Sequence, residues 1–128
     1  MLVVETGAND GLRGLPPDTL RANIQAIFDR ARQLQPSARL VLAGMRVPPN
    51  YGLGYSQQFQ SVYPEVARSN RAVLVPFLLE GVGGVDALNQ PDGVHPTVEG
   101  QRRMAETMWR ALEPVLLKGA KGAKGGNT

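Results

Sequence analysis

The chain has 128 residues, 42% of them hydrophobic, and no cysteine. That length and composition suit one globular domain with its own core, and they exclude disulfides, thiolate chemistry and cysteine-ligated zinc. The net charge of +3 does not mark a nucleic-acid surface: Lys118, Lys121 and Lys124 all lie in the C-terminal stretch, and eleven arginines balance eleven acids in the rest.

Met1 to Thr6 is a short apolar, β-branched run closed by Gly7, which predicts a buried strand. Gly11, Gly14, Pro16 and Pro17 then predict a loop. A helix is expected from Asp18 or Thr19, with Leu20, Ile24, Ile27, Phe28, Ala31 and Leu34 on its apolar face and Pro36 as its stop. Arg39 to Ala43 reads as a second buried strand, ended by Gly44. Met45 to Gly54, with two prolines and two glycines, reads as a loop.

Tyr55 to Asn70 predicts a second amphipathic helix, with Tyr55, Phe59, Val62, Tyr63 and Val66 on one face and Pro64 as a point of kinking. Ala72 to Val75 is a third strand, closed by Pro76. A short helical turn and a Gly-rich loop are expected between Phe77 and Pro91. The last helix is expected from about Thr97 to Leu117, with Met104, Met108, Leu112, Val115 and Leu116 facing the core. Residues 118–128 then read as a flexible, solvated Gly/Lys tail, leaving 1–117 as the domain.

Alternating strands and helices with unbroken apolar strands predict an α/β fold, a mainly parallel sheet with helices on both faces. Sites in such sheets gather at the C-terminal ends of the strands. Asn9 follows the first strand and His95 follows the third, so both stand in such places. No run is long enough to span a bilayer, and the start lacks the charged, apolar and small-residue regions of a signal peptide. No cofactor and no metal is expected.

His95 is the only histidine. Asp92, three residues earlier, is placed to orient its ring as the acid of a nucleophile–histidine–acid arrangement does, and Pro91 and Pro96 stiffen the turn between them. The spacing alone is common, and a lone histidine is usually a surface or structural residue. Asn9 offers a side-chain amide able to donate to an oxyanion, although Asn9-Asp10-Gly11 is also an ordinary turn sequence.

Taken together, a strand ending Gly7-Ala8-Asn9-Asp10, two βα units, and Asp92-Gly93-Val94-His95-Pro96 before the last helix resemble two of the four conserved blocks of the SGNH (GDSL-type) hydrolases. The resemblance covers roughly residues 1 to 117. Arg46-Val47-Pro48-Pro49-Asn50-Tyr51-Gly52, then Tyr55, Phe59 and Tyr63-Pro64, together with Asp10-Gly11-Leu12-Arg13-Gly14 and Val75-Pro76-Phe77, resemble more narrowly the acyl-CoA thioesterase I, arylesterase and lysophospholipase group. The resemblance implies a three-layer α/β/α flavodoxin-like fold, N-terminally truncated, and hydrolysis of carboxylic esters or thioesters by acyl transfer. It makes His95 the general base, Asp92 its orienting acid and Asn9 an oxyanion-hole donor, with Met45, Arg46 and Val47 bordering the acyl pocket. Family members are often periplasmic or secreted.

The Gly-Asp-Ser-Leu block that carries the family's nucleophile has no counterpart here, nor has the second block's oxyanion-hole glycine. Ser56, Ser61 and Ser69 fall in the second expected helix and Ser37 in a loop, none in a tight turn after a strand; Thr6 is nearer Asn9 but belongs to its strand. The serine is therefore expected from sequence outside these 128 residues. The strand that bears it in the family lies beside the first strand here, so an open edge is expected, covered by strand exchange or a second copy. The alternatives are an inactive or self-associating remnant, and hydrolysis in which the Asp92–His95 pair activates water directly.

Overall fold

Three short apolar runs, Leu2–Glu5 (β1), Leu40–Ala43 (β2) and Val73–Val75 (β3), lie side by side in parallel, in the order β1-β2-β3. This is the arrangement in the computed structural model, which describes residues 1–123. The register pairs Val4 with Leu42 and Leu42 with Leu74. Every residue of the central β2 is buried, as its unbroken apolar run predicts. In β1 Val4 is buried while its neighbours Val3 and Glu5 are exposed. Two compact units follow one another along the chain, the first ending at Phe77 and the second starting at Leu78.

In the first unit, the stretch after β1 departs from expectation. In place of a loop from Gly11, a short helix, α1 (Ala8–Leu12), starts directly after Gly7. Gly7 makes this possible: its φ of 103° is a left-handed conformation that side chains resist, and it turns the chain from strand into helix. The Gly11 amide then donates to the Gly7 carbonyl and the Arg13 amide to that of Asn9, both at 3.0 Å.

Helix α2 (Pro17–Leu34) begins with proline at its first position, where the missing N–H costs nothing. It buries a single row four residues apart, Leu20, Ile24 and Phe28. Ile27 and Leu34, expected on the core face, flank that row and remain exposed. Helix α3 (Leu53–Ser69) starts two residues earlier than the pattern predicts and runs through Pro64. It buries Phe59, Val62, Tyr63, Val66 and Ala67, packing against α2 and against β2 and β3.

The end of α3 is tied to α2 by a reciprocal amide pair. The Asn70 amide donates to Gln25 Oε1 at 2.7 Å, and the Gln25 amide donates to Asn70 Oδ1 at 3.0 Å. The Arg32 guanidinium also donates to the Asn70 carbonyl. Asn70 is buried, and these bonds remove the cost of burying its amide.

In the second unit, Leu78, Val82 and Leu88 are buried, and a 3-10 turn spans Asp86–Leu88. Helix α4 runs Val98–Ala123, past the end expected at Leu117, since the lysines and alanines that follow are good helix formers even with glycines between them. Residues 124–128 of the expected tail lie outside the described residues. Met104, Met108, Leu112 and Val115 are half-buried and Leu116 is exposed. No helix among the described residues is long and apolar enough to cross a membrane.

Candidate active site

The turn that carries His95 is built by its own neighbours. Asn89 and Pro96 form an antiparallel bridge, and the Gln90 amide donates to the His95 carbonyl at 2.7 Å. Gly93, at φ 71°, lets the chain double back between the two arms. The Asn89 amide donates to the Val82 and Val85 carbonyls at 2.7 and 2.9 Å, anchoring one arm to the preceding loop. Thr97 caps α4 by accepting from the Gly100 amide at 3.2 Å, which anchors the other.

Within this frame Asp92 and His95 meet. Asp92 Oδ2 lies 2.7 Å from His95 Nδ1, while Asp92 Oδ1 accepts the backbone amides of Val94 and His95 at 2.9 and 3.0 Å. The hydrogen bonds from the His95 backbone and ring, then that from the Val94 backbone, hold the Asp92 carboxyl down to about 2. An ionised carboxylate only accepts, so the proton of a neutral His95 ring sits on Nδ1 and leaves Nε2 free to take another. The histidine side chain is 72% exposed, so Nε2 is open to an incoming group. This arrangement can remove a proton from a hydroxyl or water and hand it to a leaving group.

The other residues singled out from the sequence lie in the first unit. Asn9 occupies the first turn of α1, directly after the Gly7 bend. Met45 is buried, so its side chain belongs to the core, whereas Arg46 is exposed with its guanidinium 4.8 Å from the centre of the Phe77 ring. Val47 is half-buried beside Gly11, where an added Cβ would also come within 2.8 Å of the Phe59 ring. Close packing therefore requires glycine at position 11. The serines are occupied otherwise: Ser56 and Ser61, within α3, donate to the backbone carbonyls of Gly52 and Gln58 at 2.8 and 2.9 Å.

One set of contacts escaped the sequence reading. Tyr51, Tyr55 and Tyr63 each donate a hydroxyl hydrogen bond to a backbone carbonyl around Asn9, namely those of Leu12, Leu15 and Thr6. The sequence carried two signals, the place of these residues in the subgroup resemblance and the spacing of four along Tyr51, Tyr55, Phe59 and Tyr63.

The GDSL-like Lipase/Acylhydrolase family matches residues 1–103. "Esterase TesA" of Pseudomonas aeruginosa is 44% identical over 116 residues, covering 91% of this chain and 57% of its own length. The Escherichia coli protein named "Thioesterase 1/protease 1/lysophospholipase L1" is 33% identical over 115 residues, 90% of this chain and 54% of its own. The crystal structure of esterase EstA from Pseudoalteromonas sp., described as inhibited by monoethylphosphonate, superposes with a TM-score of 0.81 at 31% identity, covering 89% of this chain and 61% of that one. The chain thus spans a little over half the length of these curated relatives. By that match and by the parallel α/β sheet common to it and the solved esterases, the chain belongs to the GDSL-like lipase/acylhydrolase family, the SGNH-type carboxylic ester hydrolases.

Proposed function

We propose that the chain forms part of an esterase or thioesterase that cleaves its substrate by acyl transfer through a serine supplied from outside these 128 residues. His95 takes the serine proton and returns it to the leaving alcohol or thiol, Asp92 fixes the ring, and the Asn9 amide donates to the oxyanion of the tetrahedral intermediate. Arg46 and Val47 border the acyl group; Met45, just before them in the chain and buried, supports that loop from the core.

The observation that carries this reading is the 2.7 Å bond between Asp92 and His95, with the carboxylate held by two further backbone amides. The nucleophile is assigned outside the chain because its serines are Ser37, Ser56, Ser61 and Ser69, of which three sit in α3 and Ser37 in an exposed turn. None stands at the C-terminal end of a strand, where a nucleophile is presented.

The test uses a fluorophosphonate probe and a short-chain p-nitrophenyl ester. The purified 128-residue chain is expected to remain unlabelled and to turn over no ester. Fusing ahead of Met1 a segment that supplies the Gly-Asp-Ser-Leu strand with its crossover connection and the second block's glycine is expected to restore both. Serine-dependent labelling of the chain alone would overturn the placement of the nucleophile.

A second reading, a self-associating remnant without turnover, is favoured by the outer edge of β1. Among the described residues that edge pairs with no strand, and Met1 and Val3 beside it are exposed. Two copies joined along it would satisfy its backbone groups. Sedimentation over a range of concentrations is expected to show a dimer; a monomer throughout would remove this reading.

A further inference from the structure

Helix α1 should not hold its shape unaided. It is five residues long, its Gly7 cap offers no side-chain bond, and it contains the weak helix former Gly11. What surrounds it is unusual in its consistency. The chain's three tyrosines all come from the segment Tyr51–Tyr63, and all three hydroxyls donate to backbone carbonyls of the stretch Thr6–Leu15 that encloses Asn9. Tyr63 holds the Thr6 carbonyl at 2.9 Å, just before the Gly7 bend. Tyr51 holds the Leu12 carbonyl at 2.6 Å at the helix end, and Tyr55 holds that of Leu15 at 2.8 Å just beyond.

The rings that carry these hydroxyls are themselves fixed as a ladder. Tyr51 to Tyr55, Tyr55 to Phe59 and Phe59 to Tyr63 have centroid separations of 6.3, 6.1 and 5.8 Å, the range of favourable aromatic pairs. Phe59, the rung without a hydroxyl, is the one that faces Gly11. A ladder meant only to fill the core would have no use for Tyr51 and Tyr55, whose hydroxyl bonds lie at the exposed side. Burial, helped by the nearby Asp10 carboxylate, pushes the Tyr63 and Tyr55 hydroxyls up, so both remain protonated donors at neutral pH.

We propose that Tyr51, Tyr55 and Tyr63 are positioning residues that clamp α1 and so fix the direction of the Asn9 amide. The clamp rests, for its catalytic purpose, on the oxyanion role given to Asn9 above. Its existence does not. An oxyanion donor is effective only when aimed before charge develops, since a donor that must be ordered during the reaction loses much of its advantage.

The test has two arms. On the 128-residue chain, hydrogen exchange of the Gly11 and Arg13 amides, which close α1, is read in Tyr51→Phe, Tyr55→Phe and Tyr63→Phe. Each substitution is expected to speed that exchange about fivefold, the effect of losing one ordinary hydrogen bond, and to leave amides in β2 unchanged. Unchanged exchange at Gly11 and Arg13 in all three overturns the clamp.

On the serine-bearing fusion, Tyr63→Phe is expected to lower kcat about tenfold with KM unchanged, as a displaced catalytic group does. A wild-type kcat in Tyr63→Phe, with Asn9→Ala impaired, overturns the positioning role. A wild-type kcat in Asn9→Ala overturns the oxyanion reading, and the clamp's catalytic purpose with it, while the exchange arm still decides whether the clamp exists.

Discussion

In the serine-bearing fusion, His95→Ala is expected to lower kcat/KM for a p-nitrophenyl ester by roughly 10²–10⁴-fold, the usual worth of a positioned general base. The size follows from the hydrogen-bond pattern around the ring. Asp92 accepts the hydrogen bond of Nδ1–H, so Nε2 is the basic nitrogen, and no other histidine exists to replace it. Asp92→Asn should fall between wild type and His95→Ala. An asparagine keeps an oxygen for the Val94 and His95 amides, but its NH2 group can face Nδ1 and favour the wrong tautomer.

The unsubstituted Asp92 carboxyl has two consequences for pH dependence. The Asp92 carboxyl is held down to about 2 by its bonds to His95 and Val94, so it is charged throughout the range in which esterases are assayed. The rate profile of the fusion should therefore show no step from Asp92 above pH of about 3. A depressed carboxyl stabilises the folded turn at pH above its ordinary range, and that support is lost as pH falls toward 2. The Val94 and His95 amide resonances of the 128-residue chain should accordingly hold steady at pH 4 and move only on further acidification. A midpoint at the ordinary carboxylate value would contradict the observed bonding.

The largest expected loss of stability comes from Phe59→Ala, about 3–5 kcal/mol. Phe59 is 1% exposed and sits between the Tyr55 and Tyr63 rings, with Gly11 against its edge. Removing the ring leaves a cavity that the rigid helix α3 on one side and the Gly11 backbone on the other cannot collapse to fill. Against the roughly 5–15 kcal/mol that holds a typical domain together, this is a large fraction. Thermal unfolding should shift down on the order of 10–20 °C. Phe59→Leu, which keeps much of the volume, should lose clearly less; equal losses in the two would show that the ring stack and not the filled volume is what matters.

Much of the fold was legible because it depends on local pattern. The three strands are apolar runs apart from Glu5 at the end of β1, and Leu20, Ile24 and Phe28 share one side of a helix by spacing alone. The Asp92–His95 pair was legible for a similar reason: they stand three positions apart, and prolines on either side restrict the turn. Helix α1 was not. Asn9-Asp10-Gly11 carries turn propensity, and the bonds that override it come from tyrosines about forty residues further along the chain. No spacing rule reports where a phenol will find a carbonyl. Leu117 failed as a helix end because glycines beyond it read as a tail, while the lysines and alanines between them continued the helix.

The hairpin from Asn89 to Pro96 closes a very short loop, and the bonds described for it join residues of its own unit. Closing so short a loop costs little chain entropy, and such local contacts form early in folding. The histidine thus acquires its carboxylate without waiting for any strand to find its neighbour. The contact between Asp92 and His95 is thus encoded by one short segment of the chain.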